Sequence, residues 1–121
     1  MSVKIFDSEL KVMDALWTAG ELTAGQLAKL LNQQTGWNRN TTYTVIKKLI
    51  DKGAVERRDP GFVCRAVLSR EEVQRSEADD LIDKLFGGSA ELFLSAYLGG
   101  RRLSPEEAEK LRALVDSAEK R

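Results

Sequence analysis

Apolar residues recur at helical spacing through most of the chain. Leu10, Met13, Leu16 and Trp17 follow one another at intervals that put them on one helix face. Asp7 is placed to cap that helix and Gly20 to close it. After a short link containing Leu22, Thr23 opens a second helix with Ala24, Leu27, Leu30 and Leu31 inward, and Gln33-Gln34-Thr35-Gly36 reads as a turn. A third helix is expected from about Arg39 to Lys52, with Val45, Ile46, Leu49 and Ile50 as its buried edge and Gly53 as its end. The pattern then changes. Ala54 to Arg58 and Phe62 to Leu68 are β-branched, partly alternating runs around Asp59-Pro60-Gly61, which predicts a hairpin. Three helices followed by a hairpin is the winged-helix order, with helices two and three as a helix-turn-helix pair.

Beyond the hairpin the periodicity is again helical. Ser69-Arg70-Glu71-Glu72 is a capping box ahead of Val73, Leu81, Ile82, Leu85 and Phe86, and Gly87-Gly88 breaks the helix. Leu92 to Leu98 is nearly all apolar and ends at Gly99-Gly100. Ser104-Pro105-Glu106-Glu107 starts a last helix with a Ser N-cap, Pro in the first position and Glu in the third; its apolar edge is Ala108, Leu111, Leu114 and Val115. The predicted fold is mainly α: a winged helix-turn-helix domain over 1–70 and a small helical domain over 71–121. A three-helix unit of about 50 residues buries little core by itself. Its apolar residues either fold back on the amino-terminal domain or meet a second copy of the chain across a two-fold axis. The second copy is the expectation, with Leu81, Leu85, Phe86, Leu92, Phe93, Leu94, Tyr97, Leu111 and Leu114 as dimerisation residues.

Composition narrows the function. The chain has no histidine and one cysteine, Cys64, so the commonest general base, a Cys–His pair and a cysteine-rich metal site are all missing. Asp79-Asp80 and Glu106-Glu107 are adjacent in helices and point apart, which disqualifies them as paired catalytic carboxylates. No catalytic residue, metal or cofactor is therefore expected, and the chain is not read as an enzyme. The single cysteine, a start (MSVKIFDSEL) without an apolar signal core and the absence of any long apolar run lead us to expect a cytoplasmic protein without membrane insertion. Net charge is zero, but it is unevenly spread. Between 36 and 70, Arg39, Lys47, Lys48, Lys52, Arg57, Arg58, Arg65 and Arg70 face only Asp51, Glu56 and Asp59. One basic segment on a neutral chain suits a local contact with a polyanion.

That segment contains NRNTTYTVIKKLI, residues 38–50, whose first turns carry threonines and a tyrosine where a helix built only for packing would carry better helix formers. In a helix-turn-helix the second helix enters the major groove and its first turns meet base edges. Thr hydroxyls bond to either base type, Thr methyls meet thymine methyls, and Asn is bidentate to adenine. Arg39, Asn40, Thr41, Tyr43 and Thr44 are the base-facing candidates, and Lys47, Lys48, Arg57 and Arg58 the phosphate-facing ones. Thr42 falls in step with the buried edge and is expected in the core. Asn38 reads as an N-cap, Trp37 as a packing anchor for the turn and Lys52 as solvated. A winged helix that docks a protein without binding DNA is the alternative, although such modules expose apolar residues on this helix.

The chain resembles the penicillinase-repressor (BlaI/MecI/CopY) family of winged-helix repressors. The residues that carry the likeness are Glu9 to Trp17, Trp37 to Leu49, Lys52-Gly53-Ala54-Val55 and Leu81 to Ser89, so it runs nearly end to end. It implies a homodimeric repressor on a palindromic double-stranded DNA operator, dimerised through the carboxy-terminal helices. It implies derepression either by a regulatory membrane protease cutting the carboxy-terminal domain or by metal binding to a cysteine cluster there. Residues 71–121 contain no cysteine, so copper sensing is not expected. Ser95-Ala96 occupies the place of the Asn–Phe bond at which the family's β-lactam type is cut, a candidate cleavage segment that departs from the cleaved sequence, and Tyr43 stands where a base-reading arginine is common.

Overall fold

The computed structural model describes residues 3–121. The elements run α1 (Asp7–Ala19), β1 (Glu21–Thr23), α2 (Ala24–Thr35), α3 (Arg39–Asp51), β2 (Val55–Arg58), β3 (Val63–Ala66), α4 (Arg70–Phe86), α5 (Ala90–Leu98) and α6 (Pro105–Glu119). They form a mainly helical winged helix-turn-helix followed by helices. The chain divides into two compact units, the first ending at Asp80 and the second spanning Leu81–Arg121.

The first unit packs α1, α2 and α3 around Val12, Met13, Leu16, Leu27, Leu31, Ile46 and Leu49, with Val55 and Cys64 closing the core from the sheet. Val73 joins this core from the first half of α4, and the backbone N–H of Ile5 donates to Glu77 at 3.2 Å. The sheet is antiparallel in the order β1-β3-β2, with Leu22 opposite Cys64 and Arg57 opposite Cys64 on the other side. β1 was expected only as a link. Its three residues pair with a strand some forty positions away, a contact that local pattern cannot announce. Burial pushes the Cys64 thiol above its ordinary value, with Arg57 opposing the shift.

Caps set the helix boundaries. Thr23 and Ser104 complete reciprocal capping boxes with Gln26 and Glu107, and Ser69 does the same with Glu72. α1 departs from expectation at both levels. Its N-cap is Phe6, not Asp7, and Glu9 takes the Phe6 N–H at 2.8 Å. Its inward stripe is Glu9, Val12, Met13, Ala15 and Leu16, while Leu10 is exposed. Two helical phases, one residue apart in register, both fit the apolar spacing, and docking on α3 and the sheet chooses between them. Helix α2 also runs through Gln33–Thr35, so only Gly36-Trp37-Asn38 remains as the turn; Gly36 sits at φ 80, where a side chain would be strained.

Thr42 is fully buried in α3, as its spacing predicts, and its hydroxyl has no hydrogen-bond partner among the described residues. An unmet buried hydroxyl costs about 1–3 kcal/mol. Thr42→Val keeps the branched shape and should stabilise the fold by about 1 kcal/mol in urea titration. A loss of stability would show that the hydroxyl is satisfied.

In the second unit no residue of α5 or α6 is buried. Phe86 and Phe93 meet edge to face at 5.5 Å, and Phe93 stacks on Tyr97 at 5.9 Å. Leu94, Leu98, Leu111, Leu114 and Val115 line an open apolar groove of about 520 Å³.

Candidate nucleic-acid interface

Asn38 starts α3 by accepting the Thr41 backbone N–H on Oδ1 at 2.8 Å. The turn before it is held by side chains: Asn32 donates to the Trp37 carbonyl at 2.9 Å, and the Trp37 N–H donates to Thr35 Oγ1 at 3.2 Å. Trp37 is half-buried against the core. With Thr42, Val45, Ile46 and Leu49 inward, the opposite side of the helix presents Arg39, Asn40, Thr41 and Thr44, then Lys47 and Lys48 a turn further on, all exposed. The Thr44 hydroxyl donates to the Asn40 carbonyl at 2.9 Å, so its oxygen retains acceptor capacity for a ligand.

Tyr43 is half-buried. Its ring meets Phe62 of the β2–β3 turn edge to face at 5.7 Å, and its hydroxyl accepts a hydrogen bond from Arg39 at 2.8 Å. The sequence pattern places Phe62 in a strand; in the structure it belongs to the turn, and from there it links α3 to the hairpin.

The cations differ in what they already hold. Arg57 donates to both Asp59 carboxylate oxygens at 3.1 and 3.2 Å, and Arg58 pairs with Glu21 on β1. Arg65 bonds Glu56 at 2.6 Å; this holds the Glu56 carboxyl below its usual range and raises the Arg65 guanidinium in turn. None of the ion pairs among the described residues involves Arg39, Lys47 or Lys48. Lys52 corrects the sequence reading. It is not merely solvated: its ammonium bonds the buried Glu9 carboxylate at 2.6 Å and the Lys4 carbonyl at 2.8 Å.

The carboxy-terminal candidates lie apart from this face in sequence. Leu81, Leu85 and Phe86 are on α4, Leu92, Phe93, Leu94 and Tyr97 on α5, and Leu111 and Leu114 on α6. All but Phe86 and Phe93 are exposed. Ser95 and Ala96 are exposed within α5. Among the described residues no group of side chains could hold a metal ion, and no helix is long and apolar enough to cross a membrane.

A helix-turn-helix whose second helix is hydroxyl-rich and then basic, backed by a three-stranded wing, defines a winged-helix DNA-binding protein. The chain belongs to the penicillinase repressor family, whose model matches residues 5–117, a family of repressors and not of enzymes. It is 23% identical over 120 residues to the penicillinase repressor of Bacillus licheniformis, covering 98% of this chain and 94% of that one. It is 22% identical over 115 residues to the methicillin resistance regulatory protein MecI of Mammaliicoccus sciuri, covering 93% and 94%. The solution structure of the DNA-binding domain of the repressor BlaI matches with a TM-score of 0.54 at 28% identity, over 58% of this chain and 88% of that one. Monomeric B. licheniformis BlaI in complex with the blaP half-operator matches with a TM-score of 0.53 at 27% identity, over 59% and 90%.

Proposed function

We propose that this chain is a cytoplasmic, homodimeric transcriptional repressor that binds a palindromic operator in double-stranded DNA. Residues 1–70 bind DNA, and residues 71–121 dimerise through the compact unit that begins at Leu81. Arg39, Asn40, Thr41 and Thr44 supply base-facing groups, with Tyr43 on the same face. Lys47 and Lys48 bind phosphates, joined by Arg57 and Arg58 of the wing once they leave their carboxylates. Exposed ion pairs are worth under about 1 kcal/mol, so that exchange is inexpensive. One observation carries the reading: the outward face of α3 is polar and basic, and its lysines lack carboxylate partners among the described residues. A docking module would present apolar side chains there. The half-operator held by the related BlaI supports the same reading.

The test is retardation of short duplexes tiling the region upstream of the chain's own gene. One duplex should be retarded at low salt, and Thr41→Ala with Thr44→Ala should weaken it by about 1–3 kcal/mol per lost base contact while sparing unrelated duplexes. No retardation at low salt would end the proposal.

Dimerisation rests on the apolar surface of the second unit, where Leu85 and Leu114 are 62% and 66% exposed. Sedimentation at micromolar concentration should give twice the 13.5 kDa chain mass, and Leu94→Asp should lower it. A monomer indifferent to that change would count against it. The regulatory partner in this reading is a membrane protease acting at Ser95-Ala96. Because that segment is helical, α5 must unwind locally to enter an extended protease cleft.

A further inference from the structure

We infer that Tyr43 is a positioning residue, which holds Arg39 for a guanine in the major groove and fixes the wing to the recognition helix. This rests on the DNA-binding reading above. The observation behind it is a continuous ladder of side chains. The Arg39 guanidinium lies 4.9 Å from the centre of the Tyr43 ring and also donates to its hydroxyl at 2.8 Å. The Tyr43 ring meets Phe62 at 5.7 Å, and the Arg57 guanidinium covers Phe62 at 3.7 Å. Asp59 ends the ladder by chelating Arg57.

Each rung has a physical consequence. Arg39 is the first residue of α3, where a recognition helix comes nearest to base edges. A guanidinium has five N–H donors; one is spent on Tyr43, and a bidentate contact to guanine O6 and N7 needs two. An arginine free to rotate would lose that freedom on binding, whereas one already held over a ring and bonded to its hydroxyl has less to lose. Tyr43 is less open to a base than its neighbours, since its ring is half-buried and one acceptor position of its hydroxyl is held by Arg39, although its O–H stays free to donate. At the other end, Phe62 has φ 52, a left-handed conformation that a bulky residue adopts at a cost. The contact with Tyr43 gives that strained turn a partner and sets the wing's position before DNA arrives.

The experiment measures anisotropy of the full chain on the retarded duplex, with each base pair of the half-site changed in turn. Circular dichroism would confirm that the variants fold. Arg39→Ala should lose on the order of tenfold discrimination at one G·C pair and leave other positions alone. Tyr43→Phe, which keeps the ring and removes the hydroxyl, should lose part of the discrimination at that same pair. Arg39→Ala placed on the Tyr43→Phe background should lose no more than Arg39→Ala alone, because the tyrosine acts through the arginine. Three results would overturn the inference and leave DNA binding standing. The first is Tyr43→Phe keeping full discrimination at the pair that Arg39→Ala affects. The second is Tyr43→Phe altering preference at a pair that Arg39→Ala does not touch. The third is Arg39→Ala weakening all duplexes equally, as a phosphate contact would. Wild-type protein that distinguishes no duplex would sink this inference and the proposed function together.

Discussion

Lys52→Met should destabilise the first unit by about 3 kcal/mol. Removing one partner of a buried pair typically costs about 3–5 kcal/mol, because the other charge is stranded, and solvent reaching Lys52 places this case at the low end. Glu9 is only 2% exposed, and Lys52 26%. Among the described residues the Glu9 carboxylate has two hydrogen-bond partners, the Phe6 N–H at 2.8 Å and the Lys52 ammonium at 2.6 Å, while its second oxygen is buried with none. Without the lysine a single backbone N–H would face the whole charge. Lys52 also ties the carbonyl of Lys4 and lies 4.4 Å from the Phe6 ring centre, so the segment before α1 should loosen as well. Glu9→Leu combined with Lys52→Met should recover most of the loss, since an apolar pair leaves no stranded charge. Urea titrations at one protein concentration would measure both, because association adds to apparent stability. A loss below about 1 kcal/mol for Lys52→Met would mean that the carboxylate is solvated.

That pair also marks how far a sequence can be read. Glu9 and Lys52 are 43 positions apart, and no spacing rule links them. What could be read was local. Asn38, Thr23, Ser69 and Ser104 were recognisable caps because a capping side chain bonds the backbone three residues on. Thr42 was legible as core because a helix places it in step with Val45, Ile46 and Leu49. The same periodicity told which residues of α3 face outward, and this exposed the polar and basic stripe. It could not tell that Leu10 is exposed while Ala15 is buried, nor that Glu21 to Thr23 form a strand. Those features depend on what α1 and β3 meet in space. The wing was the least legible part of the site. Its arginines looked alike in sequence, yet Arg57, Arg58 and Arg65 each hold a different carboxylate.

The contrast between paired and unpaired cations predicts how DNA affinity responds to salt. Lys47→Ala with Lys48→Ala should weaken all duplexes by similar factors and lower the salt slope by about 2 per protomer, or nearly 4 for a dimer. Lys47 and Lys48, which pair with no carboxylate among the described residues, give their full charge to a phosphate and release the DNA's condensed counterions into bulk solution. Arg58→Ala should change the slope less. In the free protein Arg58 already neutralises Glu21, and leaving that partner for a phosphate exposes a carboxylate that recruits a cation in turn. The net ion release is correspondingly smaller. Thr41→Ala should behave in the opposite sense, costing affinity only for the preferred sequence and leaving the slope intact, because a hydroxyl displaces no counterion. Plotting log affinity against log salt for wild type and these three variants separates the roles. If the double lysine variant kept the wild-type slope, Lys47 and Lys48 would not be on the phosphate backbone, and α3 would have to enter the groove by a different face.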